Sequence, residues 1–281
     1  MGVFRVPEIS EEEISRLMVG RDVVLHQEKP PSVKGERVIE VQNLSVCNAL
    51  GQLCLNNVSF NAYRGEIVGV AGIEGNGQTE LVEALCRNAE YREGKIKLLG
   101  TDIRGFSIRQ LRKLRVSHIP EDRMTVGIAP NLSITENALA DKSDEPRFRT
   151  RLGLLRRRNV KQYGAETVKR YQVLCKSPDH SISGLSGGNI QKVVVARELS
   201  SDPEIVIANQ PTRGVDVGAA EFIRKELLEL RSSGKCVLLV SSDLNELLGL
   251  SDRLLVLCGL MLNVTLAPIL TGDDHGQTVF L

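Results

Sequence analysis

Two glycine-containing stretches have residue types and spacing that suit the binding of a phosphate group. One is the stretch 185–192, which reads LSGGNIQK and is followed by Val193, Val194 and Leu199 at helical spacing. Its two glycines let a ligand approach the backbone without a Cβ in the way. The N–H groups at a helix start, with the positive end of the helix dipole, favour an anion. A Ser-Gly-Gly turn is more often only a turn, so other motifs must support this interpretation.

The second stretch, 72–79, reads GIEGNGQT and lies between a predicted buried strand at 66–71 and a predicted helix at 80–86. This arrangement matches the P-loop pattern G-x-x-x-x-G-K-[ST], although a glycine turn that only packs a helix on a sheet is the alternative. Gln78 replaces the lysine that would carry a charge to the terminal phosphates, while Thr79 remains as a potential Mg²⁺ ligand. The predicted nucleotide-binding residues are Gly72, Gly75, Asn76, Gly77, Gln78, Thr79 and Glu80.

An alternating series of strands and helices must position these motifs. Buried strands are predicted at 66–71, 116–119, 205–208, 237–240 and 253–257, with helices at 107–114, 219–231 and 244–249 among them. Such a series favours a mostly parallel sheet covered by helices, in which ligands bind at the carboxyl ends of the strands. Gly72, Glu121, Asn209 and Ser242 each follow one of these strands. We therefore predict a single nucleotide-sized site that contains all four.

A charged, helical segment interrupts this series between residues 127 and 183. Helices are predicted at 134–140 and 161–174, and the segment is interpreted as an inserted helical subdomain. It contains a basic run, for which a solvated loop is favoured over a patch that faces anionic lipid or a partner. The run consists of Arg147, Arg149, Arg151, Arg156, Arg157, Arg158 and Lys161.

Composition narrows the classes of protein to be considered. The 281 residues are 42% hydrophobic, and the 36 basic and 35 acidic residues nearly balance, which gives no support to nucleic-acid binding. The six cysteines are scattered without metal-ligand spacing and are interpreted as reduced side chains, several of them in the core. Because no apolar run reaches the ~18 residues of a membrane helix, the sequence predicts a soluble, intracellular protein.

Three segments divide the chain. Residues 1–36 are predicted to form an arm, with a disordered leader as the alternative; 37–258 form the folded domain, with its helical subdomain at about 127–185; and 259–281 form a divergent tail. The folded domain starts with an alternating, half-buried strand at 38–44, and further strands are predicted at 58–60 and 95–99.

The order of the motifs resembles the ATP-binding cassette of ABC transporters over residues 38–257. The stretches 72–79, 119–123 (IPEDR) and 211–219 (PTRGVDVGA) look like the second cassette of importers that carry two cassettes in one chain and serve simple sugars or nucleosides. The stretch 208–211 (ANQP) looks most like the nucleoside branch, and the arm is similar to the exit of a first cassette. The resemblance implies a P-loop NTPase-like fold with an antiparallel N-terminal β subdomain and an inserted helical subdomain.

The resemblance also implies a degenerate catalytic site. Family members place Lys, Asp, Glu, Gln and His at positions that are here Gln78, Asn209, Gln210, Glu121 and Ser242. An amide cannot act as a general base, and such a base contributes about 10²–10⁴ in rate. The loss of the lysine, the neutralisation of two carboxylates and the gain of Glu121 keep the local charge balanced. We therefore expect a site that holds ATP weakly, with Thr79 as a weak Mg²⁺ ligand, and does not hydrolyse it.

According to the resemblance, the stretch 185–192 serves the ATP site of a partner cassette and not the chain's own. It implies that Leu185, Ser186, Gly187, Gly188 and Gln191 complete the ATP site of a competent cassette, with Asp216 in the D-loop between the two sites. The expected partners are that cassette, permease subunits and, indirectly, a solute-binding protein, which implies a cytoplasmic protein held peripherally at the inner face of the cell membrane. An active ATPase, and a non-transport or truncated interaction module, remain as alternatives.

Overall fold

The computed structural model describes residues 29, 31, 33–48 and 50–258, together with the course of a strand at 261–266. The predicted arm before residue 29 and the tail after residue 266 lie outside the described residues. Within the described part, no helix is both long and apolar enough to cross a membrane. All six cysteines are free thiols, and Cys86 and Cys236 are buried in the core as predicted.

Four strands near the N-terminal end form an antiparallel sheet in the order β2-β1-β4-β5. They are β1 (Arg37–Cys47), β2 (Leu53–Tyr63), β4 (Glu93–Leu98) and β5 (Thr101–Asp102). The predicted antiparallel N-terminal sheet is therefore present. β1 and β2 are longer than the sequence indicated, because irregularities in their pairing let the ladder continue past positions that break the apolar alternation.

The central sheet has the order β10-β9-β3-β8-β7-β6. Its strands are β3 (Ile67–Gly72), β6 (Val116–Ile119), β7 (Ile205–Asn209), β8 (Cys236–Val240), β9 (Arg253–Cys258) and β10 (Met261–Leu266). All neighbours pair in parallel except β9 and β10. The continuous apolar character of β7 and β8 follows from their burial on both faces, and the predicted α/β fold class is confirmed.

The strand β10 lies within the segment 259–281 that the sequence predicts to be a divergent tail. It pairs antiparallel with β9, with Met261 opposite Cys258 and Leu266 opposite Leu254. The sequence 261–266, MLNVTL, alternates apolar and polar residues from Leu262 onward, a pattern that suits an edge strand once a neighbouring strand offers its hydrogen bonds.

Seven α-helices cover the central sheet or form the insertion in the described part of the chain. They are α1 (Gln78–Leu85), α2 (Ile108–Lys113), α3 (Ile134–Leu139), α4 (Arg157–Arg170), α5 (Gly187–Leu199), α6 (Val217–Ser232) and α7 (Leu244–Leu250). A π-helical turn at Arg123–Gly127 and a 3₁₀ turn at Ile182–Gly184 complete the set. Serine capping boxes start α2 and α3, as their sequences favour.

The helix predicted at 161–174 is displaced toward the N-terminus, because α4 begins at Arg157 and ends at Arg170. Arginine is a good helix former, so the basic run extends the helix backward. Gln172 has a left-handed φ of 51°, which ends the helix before Leu174.

Two apolar clusters occupy the two faces of the central sheet. One joins it to the antiparallel sheet and α1 through residues such as Ile39 and Leu85. The other joins it to α5, α6 and the helical insertion through residues such as Val194, Ile223 and Phe148. The glycine loop and the start of α5 are therefore supported by different cores.

A buried carboxylate ties α2, β6 and α5 together. Glu198 is fully buried, and its Oε1 accepts hydrogen bonds of 2.9 Å from Arg112 Nη2 and from Arg197 Nε. Its Oε2 accepts a bond of 3.3 Å from the His118 N–H. Burial alone would raise the pKa of Glu198, but the charges and hydrogen bonds of Arg112 and Arg197 outweigh it and lower the pKa.

We expect Glu198→Gln to lower the free energy of unfolding by about 3 kcal/mol at neutral pH, because two arginines lose a buried countercharge. The folded pKa is depressed, so the stabilisation exists above the unfolded pKa of about 4.3 and is lost as pH falls through the folded value. Urea unfolding of the unmodified chain and of the Glu198→Gln variant across this pH range measures the effect, and the difference in their free energies of unfolding should narrow in acid.

The control is Glu229→Gln, which removes the carboxylate of an exposed ion pair with Lys225 and should change the free energy of unfolding by about 0.5 kcal/mol or less. Equal effects of the two changes would contradict the assignment.

Candidate functional site

The structure brings the four predicted strand-end residues together. Gly72, Glu121, Asn209 and Ser242 line one cleft of about 90 Å³ at the carboxyl ends of β3, β6, β7 and β8. A larger cavity of about 600 Å³ adjoins it and shares Thr79, Glu121 and Asn209 with it. The two spaces form a continuous candidate site beside the start of α1.

The glycine loop takes a conformation that requires glycine at two positions. Gly75 and Gly77 have left-handed φ values of 91° and 95°. A Cβ on Gly77 would also lie only 2.7 Å from the Cys54 carbonyl oxygen. Gly77 caps α1, which begins two residues earlier than predicted, so Thr79 and Glu80 lie in its first turn. The first-turn amides of α1 consequently open onto the loop.

The Gln78 side chain bonds to the loop itself. Its Nε2 donates a hydrogen bond of 3.2 Å to the Ile73 carbonyl oxygen, and Asn76 N donates one of 3.1 Å to the same oxygen. The residue at the lysine position thus stabilises the loop as a neutral donor. It adds no positive charge to the cleft.

Neutral side chains also meet across the ends of β7 and β8. Asn209 is 7% exposed, and Gln210 follows it with a left-handed φ of 50°. The Gln210 Oε1 accepts hydrogen bonds of 3.0 Å from Ser242 N and 3.1 Å from Ser242 Oγ. The positions expected to hold the general base and the switch residue are therefore occupied by an amide and a hydroxyl, which bond to each other. Neither group takes up a proton near neutral pH.

Two arginines that the sequence analysis did not single out complete the charge pattern. Arg213 forms an ion pair with Glu121, and Arg123 donates hydrogen bonds of 2.7 Å to the Arg213 carbonyl and 3.0 Å to the Gly214 carbonyl. The Glu121 charge is thus balanced by Arg213. The sequence-based account of the local charge had not included this arginine. The only signal in the sequence is that both charged turns, 121–123 and 212–214, begin within three residues of the end of a strand.

The stretch 185–192 starts α5 as predicted. Ser186 caps the helix, and its Oγ accepts a hydrogen bond of 2.9 Å from Asn189 Nδ2. Leu185 is half-buried, while Gln191 is 2% exposed and donates a bond of 2.8 Å to the Pro211 carbonyl. Ser186 itself is exposed. Among the described residues that line the cleft around the glycine loop, none comes from 185–192.

Close packing explains the second glycine of this stretch. Gly188 is buried, and a Cβ there would overlap Asp216 Oδ2 and approach Ala219 Cβ to 2.9 Å. Asp216 in turn caps α6, with Oδ1 accepting a bond of 2.9 Å from Ala219 N. The predicted signature and D-loop residues therefore contact each other within the chain. At Gly187 a Cβ would meet only the Nη2 end of Arg123, at 2.8 Å, as its nearest neighbour.

The parallel sheet, the glycine loop between β3 and α1, and the strand ends gathered on one cleft define a P-loop NTPase-like α/β fold. A dimeric ATP-binding cassette solved in a post-hydrolysis state with ADP and Pi has a TM-score of 0.69 at 22% identity, over 83% of this chain and all of that one. A nucleotide-free cassette from an ABC transporter has a TM-score of 0.70 at 19% identity, over 83% and 92% of the two chains. These similarities establish the fold.

A family model described as ABC transporter matches residues 55–213. The nucleoside import ATP-binding protein NupA of Lactococcus lactis is 38% identical over 88% of this chain and 49% of its own length. The guanosine import ATP-binding protein NupO of Bacillus subtilis is 37% identical over 90% of this chain and 49% of its own length. The galactose/methyl galactoside import ATP-binding protein MglA of Vibrio vulnificus is 37% identical over 96% of this chain and 52% of its own length. The chain belongs to the ABC transporter family, and it spans about half the length of these relatives.

We expect Gly188→Ala to lower the free energy of unfolding by about 2 kcal/mol, because the added methyl overpacks the contact with Asp216 and disturbs the cap of α6. Chemical denaturation of the chain measures the change. Gly184→Ala is the matched control, since a Cβ there meets nothing within 4 Å, and its effect should stay within about 0.5 kcal/mol. A tolerant Gly188 would show that the two loops do not pack as described.

Proposed function

We propose that the chain is an ATP-binding cassette of an importer for nucleosides or simple sugars, with a phosphate site of its own that does not hydrolyse ATP. The observation that carries the proposal is the hydrogen-bonded pair of Gln210 and Ser242 at the ends of β7 and β8. A site that activates water needs a proton acceptor near this place, and this pair offers none.

Charge at the cleft supports the same conclusion. Hydrolysis of ATP builds negative charge on the transferred phosphate, and loss of one preorganised charge-stabilising donor costs about 3 kcal/mol. Gln78 is neutral, and Arg213 is already paired with Glu121. At the positions where the resemblance places the lysine and the general base, the transition state would thus find neither a positive charge nor a carboxylate.

The backbone of the glycine loop still fits a nucleotide. The left-handed Gly75 and Gly77 and the first-turn amides of α1 form a cradle for a phosphate. For Mg²⁺ the cleft offers the Thr79 hydroxyl and the Asn209 amide, and the described residues contain no cluster of three metal-binding side chains. ATP would therefore bind weakly, with Thr79 as a weak Mg²⁺ ligand.

We further propose that 185–192 completes the ATP site of a partner cassette. Ser186 is exposed at the start of the 13-residue helix α5, and the stretch does not line the chain's own cleft. An exposed helix start with small residues is suited to a phosphate supplied by another molecule. Asp216, which touches Gly188, would link the two sites.

The import proteins NupA, NupO and MglA suggest the wider context. By analogy with their names, the transported class is a nucleoside or a simple sugar, and the stretch 208–211 favours nucleosides. The partners would be a competent cassette, permease subunits and, indirectly, a solute-binding protein. The chain would then lie in the cytoplasm, held at the inner face of the membrane by the permease.

The first functional expectation concerns the chain alone. It should release phosphate from ATP no faster than a buffer blank, because Gln78 and Gln210 supply neither charge nor base. The triple variant Gln78→Lys, Asn209→Asp, Gln210→Glu should gain activity only when a partner signature is added. A phosphate-release assay measures both. Robust turnover by the unmodified chain would refute the proposal and favour an active ATPase.

The second expectation compares the stretch 185–192 with the chain's own glycine loop. Gly187→Leu should lower ATP hydrolysis by a reconstituted two-cassette complex about 100-fold or more, because the side chain holds the helix start away from the partner's γ-phosphate. The chain's own fold should survive, since the nearest atom to a Cβ there is the Nη2 of one long side chain, Arg123, and the loss is confined to its hydrogen bond with the Gly214 carbonyl. Gln78→Ala should reduce turnover far less.

Gly249→Leu is the matched control for this experiment, because Gly249 is exposed on α7 with nothing within 4 Å of an added Cβ. It should behave as the unmodified chain does. If Gly187 tolerates leucine while Gln78 proves essential, the assigned roles are reversed.

A further inference from the structure

A short hairpin between α3 and α4 presents both apolar and basic side chains to solvent. Its arms pair through an antiparallel bridge between Arg149 and Leu155. The loop is closed by hydrogen bonds of 2.8 Å from Thr150 N to the Leu154 carbonyl and 3.0 Å from Gly153 N to the Thr150 carbonyl. We refer to residues 149–158, this turn with the start of α4, as the arginine hairpin.

The base of the arginine hairpin is anchored in the core. Phe148 is 1% exposed and packs edge-on against Tyr163, with ring centroids 5.2 Å apart. Arg156 N donates a bond of 2.7 Å to the Phe148 carbonyl. The tip, by contrast, stands clear of the protein, because a Cβ on the left-handed Gly153 would meet nothing within 4 Å. The hairpin is thus a protrusion on a fixed base.

Three leucines at the tip are exposed to an extent that is unusual for so small a segment. Leu152 is 88% exposed, Leu154 67% and Leu155 48%. Scattered single leucines on a surface need no explanation, but three within four residues on a protruding turn form a concentrated apolar patch.

The charges around this patch are not balanced within the described part of the chain. Arg149 pairs with Asp144, just outside the hairpin. The other arginines of the hairpin are exposed and form no ion pair with a described carboxylate. These are Arg151, Arg156, Arg157 and Arg158. Four net positive charges therefore flank the three leucines on both sides along the chain.

We propose that the arginine hairpin inserts into the surface of an anionic lipid bilayer. The leucines enter the interface between headgroups and acyl chains, while the guanidinium groups bind phosphates at headgroup level, which they can do through paired hydrogen bonds. The shape favours lipid over a protein partner, because the leucines sit on a protrusion next to arginines. Both kinds of side chain are satisfied together at a boundary that is apolar on one side and anionic on the other.

This inference goes beyond the proposed transport role and does not depend on it. The sequence alone favoured a solvated loop, since it could not show that the leucines are exposed. The fixed base, the free tip and the unbalanced arginines now point to a membrane contact made by the chain itself.

Flotation of the full chain with vesicles tests the proposal. One set is pure phosphatidylcholine, and the other contains about one third phosphatidylglycerol. The chain should float with the anionic set only, and less at high salt. Arg157→Gln with Arg158→Gln, and separately Leu152→Ser with Leu154→Ser, should each weaken binding about tenfold or more.

Matched controls remove the same groups elsewhere. Arg92→Gln with Lys225→Gln removes two exposed charges, and Leu50→Ser removes a leucine that is 83% exposed. Both should bind as the unmodified chain does, with unchanged thermal unfolding for all variants. Absence of binding to anionic vesicles, or equal losses in the controls, would overturn the proposal. Loss in the arginine variant without loss in the leucine variant would also overturn it, since that result indicates charge attraction of the kind an acidic protein surface offers.

Discussion

Parallel hydrogen bonding among β3, β8, β7 and β6 is the constraint on which the candidate site depends. It fixes the register of four strands, so that their carboxyl ends lie at one edge of the sheet and the turns that follow them share one cleft. The pairing of β7 with β8 sets Asn209 opposite Val240, and this brings Gln210, one residue further on, within hydrogen-bonding distance of Ser242, two residues beyond Val240. A change of register would separate them. The sheet topology therefore determines which side chains meet at the site.

The polar groups at this edge form a consistent neutral set. Gln210 bonds to Ser242, Gln78 bonds to its own loop, and Glu121 is balanced by Arg213. A single replacement of a charged residue in a partly buried site leaves its partner without compensation, which is costly. Here the groups at the strand ends are neutral or paired, so none of these contacts leaves a buried charge without a partner.

The sequence predicted the elements whose signals are local, and it missed those that depend on contacts. Buried strands such as β7 and β8, and capped helices such as α2, follow from apolar runs and Ser-x-x-Gln spacing. The end of α4 was misplaced because Gln172 takes a left-handed φ that no residue type dictates. The Arg213–Glu121 pair joins residues 92 positions apart, and the exposure of Leu152 depends on how the hairpin leaves the core. Neither can be obtained from spacing along the chain.

The two glycines of the stretch 185–192 are under different physical requirements. Gly188 is held against Asp216 and Ala219, so packing within the chain accounts for its missing side chain. Gly187 has no left-handed φ and is partly exposed, and the atom nearest to a Cβ on it would be the Arg123 Nη2, which donates a hydrogen bond to the Gly214 carbonyl. A side chain at Gly187 would therefore compete with the hydrogen bond from Arg123 to the Gly214 carbonyl, whereas one at Gly188 would press on the cap of α6. Because Gly187 starts α5 and is partly exposed, the N–H groups of the helix start are open to a group from outside the chain.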